Sequence, residues 1–404
     1  MIVAHVRLTN AAVGTPWRLV AAVGPEATTE TGPADAGEGP GARPGAPPAT
    51  GPGARPPTPP PTPPATPPRT ERSERQHEPA RATGPGADPG QPVEPRRWLD
   101  LEVVRRRLLS VDPTRAHNSA LFRAPISTLD AHLGAGLRVA ALADLVEGFE
   151  AREDDPALLA ADELVFGPPI LRPPSLRDFY AFEGHVGAMW ARRGAPVPEA
   201  WYRLPIFYFS NVSEIRGPGD PVWAPLGSLE LDYELEVCAL VDTPARNLLE
   251  SSAEEAIGGY LILNDWSARD LQRDETAVRL GPAKGKDFAS SIGPWLVTPD
   301  EVAGDRVAGA TAPSLALTAE VNRVQLSRGN WADARFSFGQ MLARASADVG
   351  LRPGDLIGSG TVGSGCLLEI REATLGRYLE PGDEVVLRVE RLGALATPIV
   401  ARPG

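Results

Sequence analysis

Proline limits what this chain can fold into more than any other residue, and it is unevenly spread. Of 44 prolines in 404 residues, 21 fall between Pro25 and Pro95, in runs such as PPTPPPTPPATPP. That stretch has almost no branched aliphatic residues and no aromatics. It buries too little apolar surface to offset the entropy of ordering it, so residues 25–95 are expected to form an extended, polyproline-like, largely disordered insert. Its PxxP pieces fit a recruiting role, but a plain solvated linker is the simpler reading.

The segments flanking the insert have a different character. IVAHVRLT and WRLVAAVG read as two short strands with a turn between them. After the insert, WLDLEVVRRRLLSV has helical spacing, and further helical pieces with glycine stops follow. Residues 1–24 and 96–168 are therefore taken as one small N-terminal domain interrupted by the insert. From residue 169 onward, LDYELEVCALV, GGYLILNDW, SLALTAEVNRVQL, DLIGSGTV, CLLEIRE and EVVLRVERLG are strand-length runs between Gly, Pro and Asp turns. Helical stretches are expected only at residues 176–193, 253–259 and 336–349. The fold class is α+β, mostly β, with residues 169–404 folded as a mixed roll or sandwich.

Composition excludes several functions. Forty basic against 52 acidic side chains give a net charge of −12, the wrong sign for gripping nucleic-acid phosphates. Cys238 and Cys366 make neither a disulfide framework nor a zinc pattern, and both are taken as small core residues. No apolar run approaches the roughly 18 residues of a membrane span, and the start lacks a secretory pattern, so the expectation is a cytoplasmic protein. His5, His77, His117 and His132 lack a carboxylate partner at a useful spacing and are assigned nothing.

The chemistry concentrates in carboxylates. Ser175 with Asp178 resembles a helix-capping start, and Asp178, Phe182, His185 and Met189 then recur on one helical face. A buried acid and histidine on such a face must be paired or hold a ligand. In LDYELEVCALV, period-two alternation puts Glu234 and Glu236 on one face beside Asp232. On a solvated face two glutamates would be unremarkable. In a β-rich core they repel unless a cation lies between them, and hard divalent ions prefer such oxygen ligands. Asp265 follows directly on an apolar run. Asp178, Glu234, Glu236 and Asp265 together would form a site for magnesium, manganese or calcium.

The strings DFYAFEGHV, ELDYELEV, LNDWSARDLQ, GPAKGKDFASSIGPW and GSGTVGSGCLLE occur in an order that resembles the fumarylacetoacetate hydrolase family across roughly residues 175–395. The resemblance implies a mixed β-roll, a bound divalent metal, a homodimer, and small oxo-acid substrates with a 1,3-dicarbonyl or enol group. Position by position, it implies Asp178, Glu234, Glu236 and Asp265 as metal ligands, His185 as the base that activates water, and Glu369 as the residue orienting that base. It further implies Lys286 beside the metal, and Tyr180, Arg269, Gln272 and Thr361 around the substrate. Alternatively, Arg269 simply pairs with Asp270 or Asp274.

Three departures surround the far end of the substrate. Thr276 stands where true fumarylacetoacetases carry a tyrosine, Gly194 stands in place of a substrate-binding arginine, and the GSGTVGSGC loop is shorter. The implied reaction is metal-dependent hydrolysis of a carbon–carbon bond in a β-dicarbonyl acid, of the acylpyruvate or fumarylacetoacetate type and as in aromatic amino acid catabolism. Isomerisation, decarboxylation or tautomerisation of a 2-oxo or 2-hydroxydienoic acid on the same metal is the alternative. A non-catalytic paralogue that recruits partners through its insert is disfavoured by the intact carboxylates and the His185 and Glu369 pair.

Overall fold

The computed structural model describes residues 1–12, 14–23, 97–123, 125–150, 152 and 154–404. The expected proline-rich insert at 25–95 lies outside these described residues. Before and just after it run β1 (Ile2–Leu8), β2 (Arg18–Val23) and β3 (Arg97–Asp100), followed by the helix Leu101–Val111. Asp100 ends β3 and caps this helix, its side chain accepting the Val103 N–H, so the apolar-charged run splits into a strand and a helix. Two short strands, β4 (Leu158–Ala160) and β5 (Leu164–Gly167), complete this part.

The larger part holds β6 (Leu176–Phe179), β7 (Phe207–Ser210), β8 (Ile215–Arg216), β9 (Leu231–Asp232), β10 (Leu235–Val241), β11 (Ile257–Asp265) and β12 (Ser267–Ala268). It continues through β13 (Ser290–Val297), β14 (Ala316–Val321), β15 (Val324–Asn330), β16 (Leu356–Gly358), β17 (Glu384–Val389) and β18 (Gly393–Pro398). Among the described residues, twelve strands make one sheet, whose main path is β4-β3-β2-β1-β13-β11-β10-β16-β6-β7, with β5 on β1 and β8 on β13. A second sheet runs β15-β14-β17-β18, and β9 pairs β12. The mostly β architecture agrees with the sequence reading.

The middle of the large sheet is covered on both faces, and every residue of β10, β11 and β13 is buried. Such strands read as near-continuous apolar runs. Val237, Ala239 and Val241 point into one core, whereas Cys238 and Leu240 point into the other, with Leu261 and Leu263 of β11. The N-terminal strands extend this same sheet: Ile2 pairs Val297 and Val3 pairs Leu296. The first 23 residues and those from Arg97 onward thus fold as one compact unit, with hydrogen bonds crossing the expected boundary near residue 168.

Several elements differ from expectation. CLLEIRE, expected as a strand, instead holds the short helix Leu367–Ile370; residues 253–259 give only a helical turn at Ala253–Ala256 before β11 begins; and Arg269–Ala277 is an additional helix. Residues 176–193 do not form a single helix: Leu176–Phe179 is strand β6, and the helix is Glu183–Arg192. β6 lies parallel to β16, with Asp178 beside Gly358, and all four of its residues are buried, which a one-faced surface helix would not allow. Ser175 is not a helix cap; its hydroxyl donates to Asp355. Long-range strand pairing overrides the local helical pattern here. Among the described residues no helix is long and apolar enough to cross a membrane.

Candidate active site

Three carboxylates converge from β6, β10 and β11 in the large sheet, with β16 lying between β6 and β10. Asp178 comes from β6, Glu236 from β10 and Asp265 from the last position of β11. One oxygen of each lies within 4.8 Å of the others, and all three residues are buried. Backbone glycine makes the approach possible: a Cβ on Gly358 would collide with Asp178 Oδ1. Gly360, at φ +79°, lets the following loop turn tightly, and its N–H donates to Glu236 Oε2 at 3.0 Å. Thr361 Oγ1 lies 3.3 Å from Glu236 Oε1.

Burial is the largest influence on these acids. It raises Asp178 and Glu236 well above the usual carboxylate range, and repulsion from neighbouring carboxylates adds to it. Asp265 is raised by burial as well, with Lys286 acting against the rise. Asp178 Oδ1 and Asp265 Oδ1 are buried without a hydrogen-bond partner. Orphaned oxygens in a buried acidic cluster fit a hard divalent cation, which takes oxygen ligands of this kind.

Glu234 stands beside the trio rather than within it. Its Oε2 lies 2.5 Å from Lys286 Nζ and its Oε1 lies 2.7 Å from Arg269 Nη2. Burial would raise this carboxyl, but the two cations outweigh it and hold the group well below its ordinary range. Lys286 Nζ also reaches Asp265 Oδ2 at 2.5 Å and the Asp265 carbonyl at 3.3 Å. Burial would lower the lysine, yet Asp265 and Glu234 raise it, so it stays charged.

Arg269 pairs with neither Asp270 nor Asp274. Its Nε donates to Asp232 Oδ2 at 2.8 Å and its Nη1 donates to Gln272 Oε1 at 3.0 Å. The fully buried Asp232 also accepts the N–H groups of Leu367 and Leu368, at 2.7 and 2.8 Å. It thereby ties Arg269 to the short helix Leu367–Ile370 that carries Glu369.

The second centre is a histidine–glutamate pair. His185, on the helix Glu183–Arg192, places Nδ1 2.5 Å from Glu369 Oε1, with both side chains nearly enclosed. Glu369 Oε2 accepts the Ser364 N–H at 2.9 Å. The Tyr180 ring meets the imidazole edge to face, with centroids 5.4 Å apart. Cys366 is not merely core filling: its Sγ approaches Glu369 Oε1 at 3.5 Å.

The structure therefore brings His185 to Glu369, Lys286 to Glu234 and Asp265, and Asp178 to Glu236 and Asp265. Sequence reasoning missed Tyr208, whose hydroxyl donates to Asp265 Oδ2, and the joining role of Asp232. A tyrosine in the strand-like run FYFS gives no local signal of this contact. Asp232 did carry one, as a third acid in an otherwise buried strand segment.

Residues 175–400 match the family model described as fumarylacetoacetate hydrolase C-terminal. The fumarylacetoacetase of Oryza sativa subsp. japonica is 31% identical over 271 residues, covering 52% of this chain and 62% of that protein. A 2,4-didehydro-3-deoxy-L-rhamnonate hydrolase from a Sphingomonas strain is 32% identical over 192 residues, covering 47% and 62%. The chain thus spans less than two thirds of the length of these curated relatives. The crystal structure of a probable 2-hydroxyhepta-2,4-diene-1,7-dioate isomerase from Mycobacterium abscessus superposes with a TM-score of 0.52 at 25% identity, covering 70% of this chain and 92% of that one.

Proposed function

This chain belongs to the fumarylacetoacetate hydrolase family, and we propose that it hydrolyses a carbon–carbon bond in a β-dicarbonyl acid of the acylpyruvate or fumarylacetoacetate class. The observation that carries this reading is the 2.5 Å contact from His185 Nδ1 to Glu369, in a chain that also buries three convergent carboxylates. A base oriented by a carboxylate is what water activation near neutral pH requires.

With its Nδ1 proton donated to Glu369, the imidazole keeps a lone pair on Nε2 to accept a proton from water. The hydroxide so formed attacks the substrate carbonyl carbon. When the carbon–carbon bond breaks, His185 returns the proton to the departing carbon. Glu369, fixed by the Ser364 N–H, balances the transient imidazolium. Asp178, Glu236 and Asp265, with Glu234 beside them, would hold the metal ion; Mg²⁺ suits this all-oxygen set, with Mn²⁺ and Ca²⁺ as alternatives. Such an ion supplies positive charge for the oxygens of a 1,3-dicarbonyl or enolate. Lys286 steadies two of the carboxylates, while Arg269, Gln272, Tyr180 and Thr361 are the candidate contacts for the acid substrate.

The similarity to a structure named as a dienoate isomerase supports a second reading, isomerisation or decarboxylation on the same carboxylates. The proposal also includes a cytoplasmic homodimer, checked by sedimentation. Acylpyruvates, fumarylacetoacetate and oxaloacetate are each incubated with the protein and magnesium, and loss of enol absorbance is followed. Cleavage of at least one substrate into two acids or an acid and a ketone is expected. Enol loss without cleavage products would replace hydrolysis with the second reading.

A further inference from the structure

Three ligating atoms gather on the side of His185 that faces away from its proton-accepting nitrogen. His185 Nδ1, Cys366 Sγ and a Glu369 oxygen all lie within 4.8 Å of one another. Both contacts converge on the same atom, Glu369 Oε1: Nδ1 at 2.5 Å and Sγ at 3.5 Å. Cys366 is fully buried and aimed at this carboxylate. The reaction outlined above has no use for a thiol.

We propose that His185, Cys366 and Glu369 form a second metal site, selective for soft or borderline divalent ions such as zinc, and that its occupation switches the enzyme off. The switching-off rests on the proposed role of His185 as base; the binding itself does not. Zinc bonds of about 2.3 Å to sulfur and about 2.0–2.2 Å to nitrogen and oxygen put tetrahedral ligand atoms about 3.3–3.6 Å apart. The sulfur–oxygen separation already matches, and the Nδ1–Oε1 contact needs to open by less than about 1 Å. Nitrogen and thiolate donors select zinc, cobalt or cadmium, whereas Asp178, Glu236 and Asp265 offer only oxygens suited to hard ions. The chain thus carries two chemically distinct sets of ligands.

The proton balance explains the inhibition. On binding, the Cys366 thiol releases its proton to solvent, and the thiolate and Glu369 carboxylate neutralise the divalent ion. His185 binds through Nδ1, so its ring proton moves to Nε2. That tautomer has no lone pair left for water.

Cobalt(II) added to the full-length protein is the test, because cobalt shows an intense near-ultraviolet charge-transfer band with thiolate ligands. The band is expected in the wild type, retained in Asp178→Asn and lost in Cys366→Ser. Zinc added over saturating magnesium should also suppress turnover of the wild type. If Cys366→Ser does not fold, His185→Ala and Glu369→Gln keep the thiol and should each weaken cobalt binding by at least about 10–100-fold. A folded wild type without the band overturns the site, as does a band lost in Asp178→Asn or unchanged affinity in His185→Ala. The band needs no turnover, so failure to cleave any oxo acid would refute the proposed reaction and leave this site standing.

Discussion

Replacing Lys286 with methionine tests the electrostatics of the carboxylate cluster without reference to any substrate. Lys286 Nζ sits 2.5 Å from both Glu234 Oε2 and Asp265 Oδ2, with all three side chains at most 7% exposed. Methionine keeps the length and much of the volume while removing the charge. Taking one partner from a buried ion pair leaves an uncompensated charge and typically destabilises by about 3–5 kcal/mol. Here two carboxylates lose a partner, although Glu234 keeps Arg269 and Asp265 keeps Tyr208, so the middle of that range is expected. At roughly 1.5 °C per kcal/mol for a unit of this size, melting of the metal-free protein should fall by about 6 °C. The pH dependence has a definite sign. In the wild type, Glu234 is depressed below its unfolded value and contributes stability above it, lost as pH falls. In Lys286→Met the unpaired carboxyls are raised, so their penalty is largest at high pH and shrinks on acidification. Magnesium should restore more stability to the variant than it adds to the wild type, because the cation replaces the missing charge. The assay is thermal unfolding from pH 5 to 8, with and without magnesium. A loss under about 1 kcal/mol, or one that grows on acidification, would refute the buried-charge reasoning.

His185→Ala should lower turnover by about 10²–10⁴-fold while leaving magnesium affinity, read by calorimetry, nearly unchanged. Glu369→Gln should give a smaller loss, and the double variant should fall far short of additivity; near-normal activity in His185→Ala would mean the wrong base is named. Asp383 is held at about 2 by Arg377, at 2.7 and 2.8 Å, and by the Glu380 N–H, against the opposing effect of burial. Its stabilisation is present above its unfolded value and is lost as pH falls towards about 2, so Asp383→Asn should flatten the acid limb of denaturant unfolding. Val23 and Arg97 are cross-strand partners in β2 and β3, so replacing residues 24–96 with a two-residue Asn-Gly turn should preserve the fold. Shortening the connection by about five doublings, at about 0.6 kcal/mol each, would add up to about 3 kcal/mol of stability. Loss of folded protein would show that the removed segment is structural.

What could be read in the sequence follows the range of the interactions involved. The buried strands β10 and β11 announce themselves because a sheet covered on both faces demands an apolar side chain at nearly every position, whereas the equally buried β13 opens with two serines and carries Gly293 and Pro294, so it is not among the expected strands. His185 and Glu369 are 184 residues apart, and no local pattern links them; only the order of the motifs points to their pairing, and the fold brings them to 2.5 Å. Asp178 was expected on the helical face of His185, because a four-residue strand is too short to show its own period against the helix that follows. The parallel register with β16 places it. Glu234 and Glu236 were expected side by side by alternation, but β10 begins only at Leu235. The Glu234 N–H is taken by the side chain of Asn264 rather than by a ladder partner, and its carboxylate turns to Lys286 and Arg269. That break sets the division of labour within the cluster. Glu236, on the strand, joins Asp178 and Asp265 in an oxygen trio short of positive charge. Glu234, just off it, draws two cations to the trio's edge. Asp232 sits two residues before Glu234 and connects one of those cations, Arg269, to the helix bearing Glu369. The carboxylate cluster and the histidine dyad, separate in the sequence motifs, are joined through that one buried aspartate.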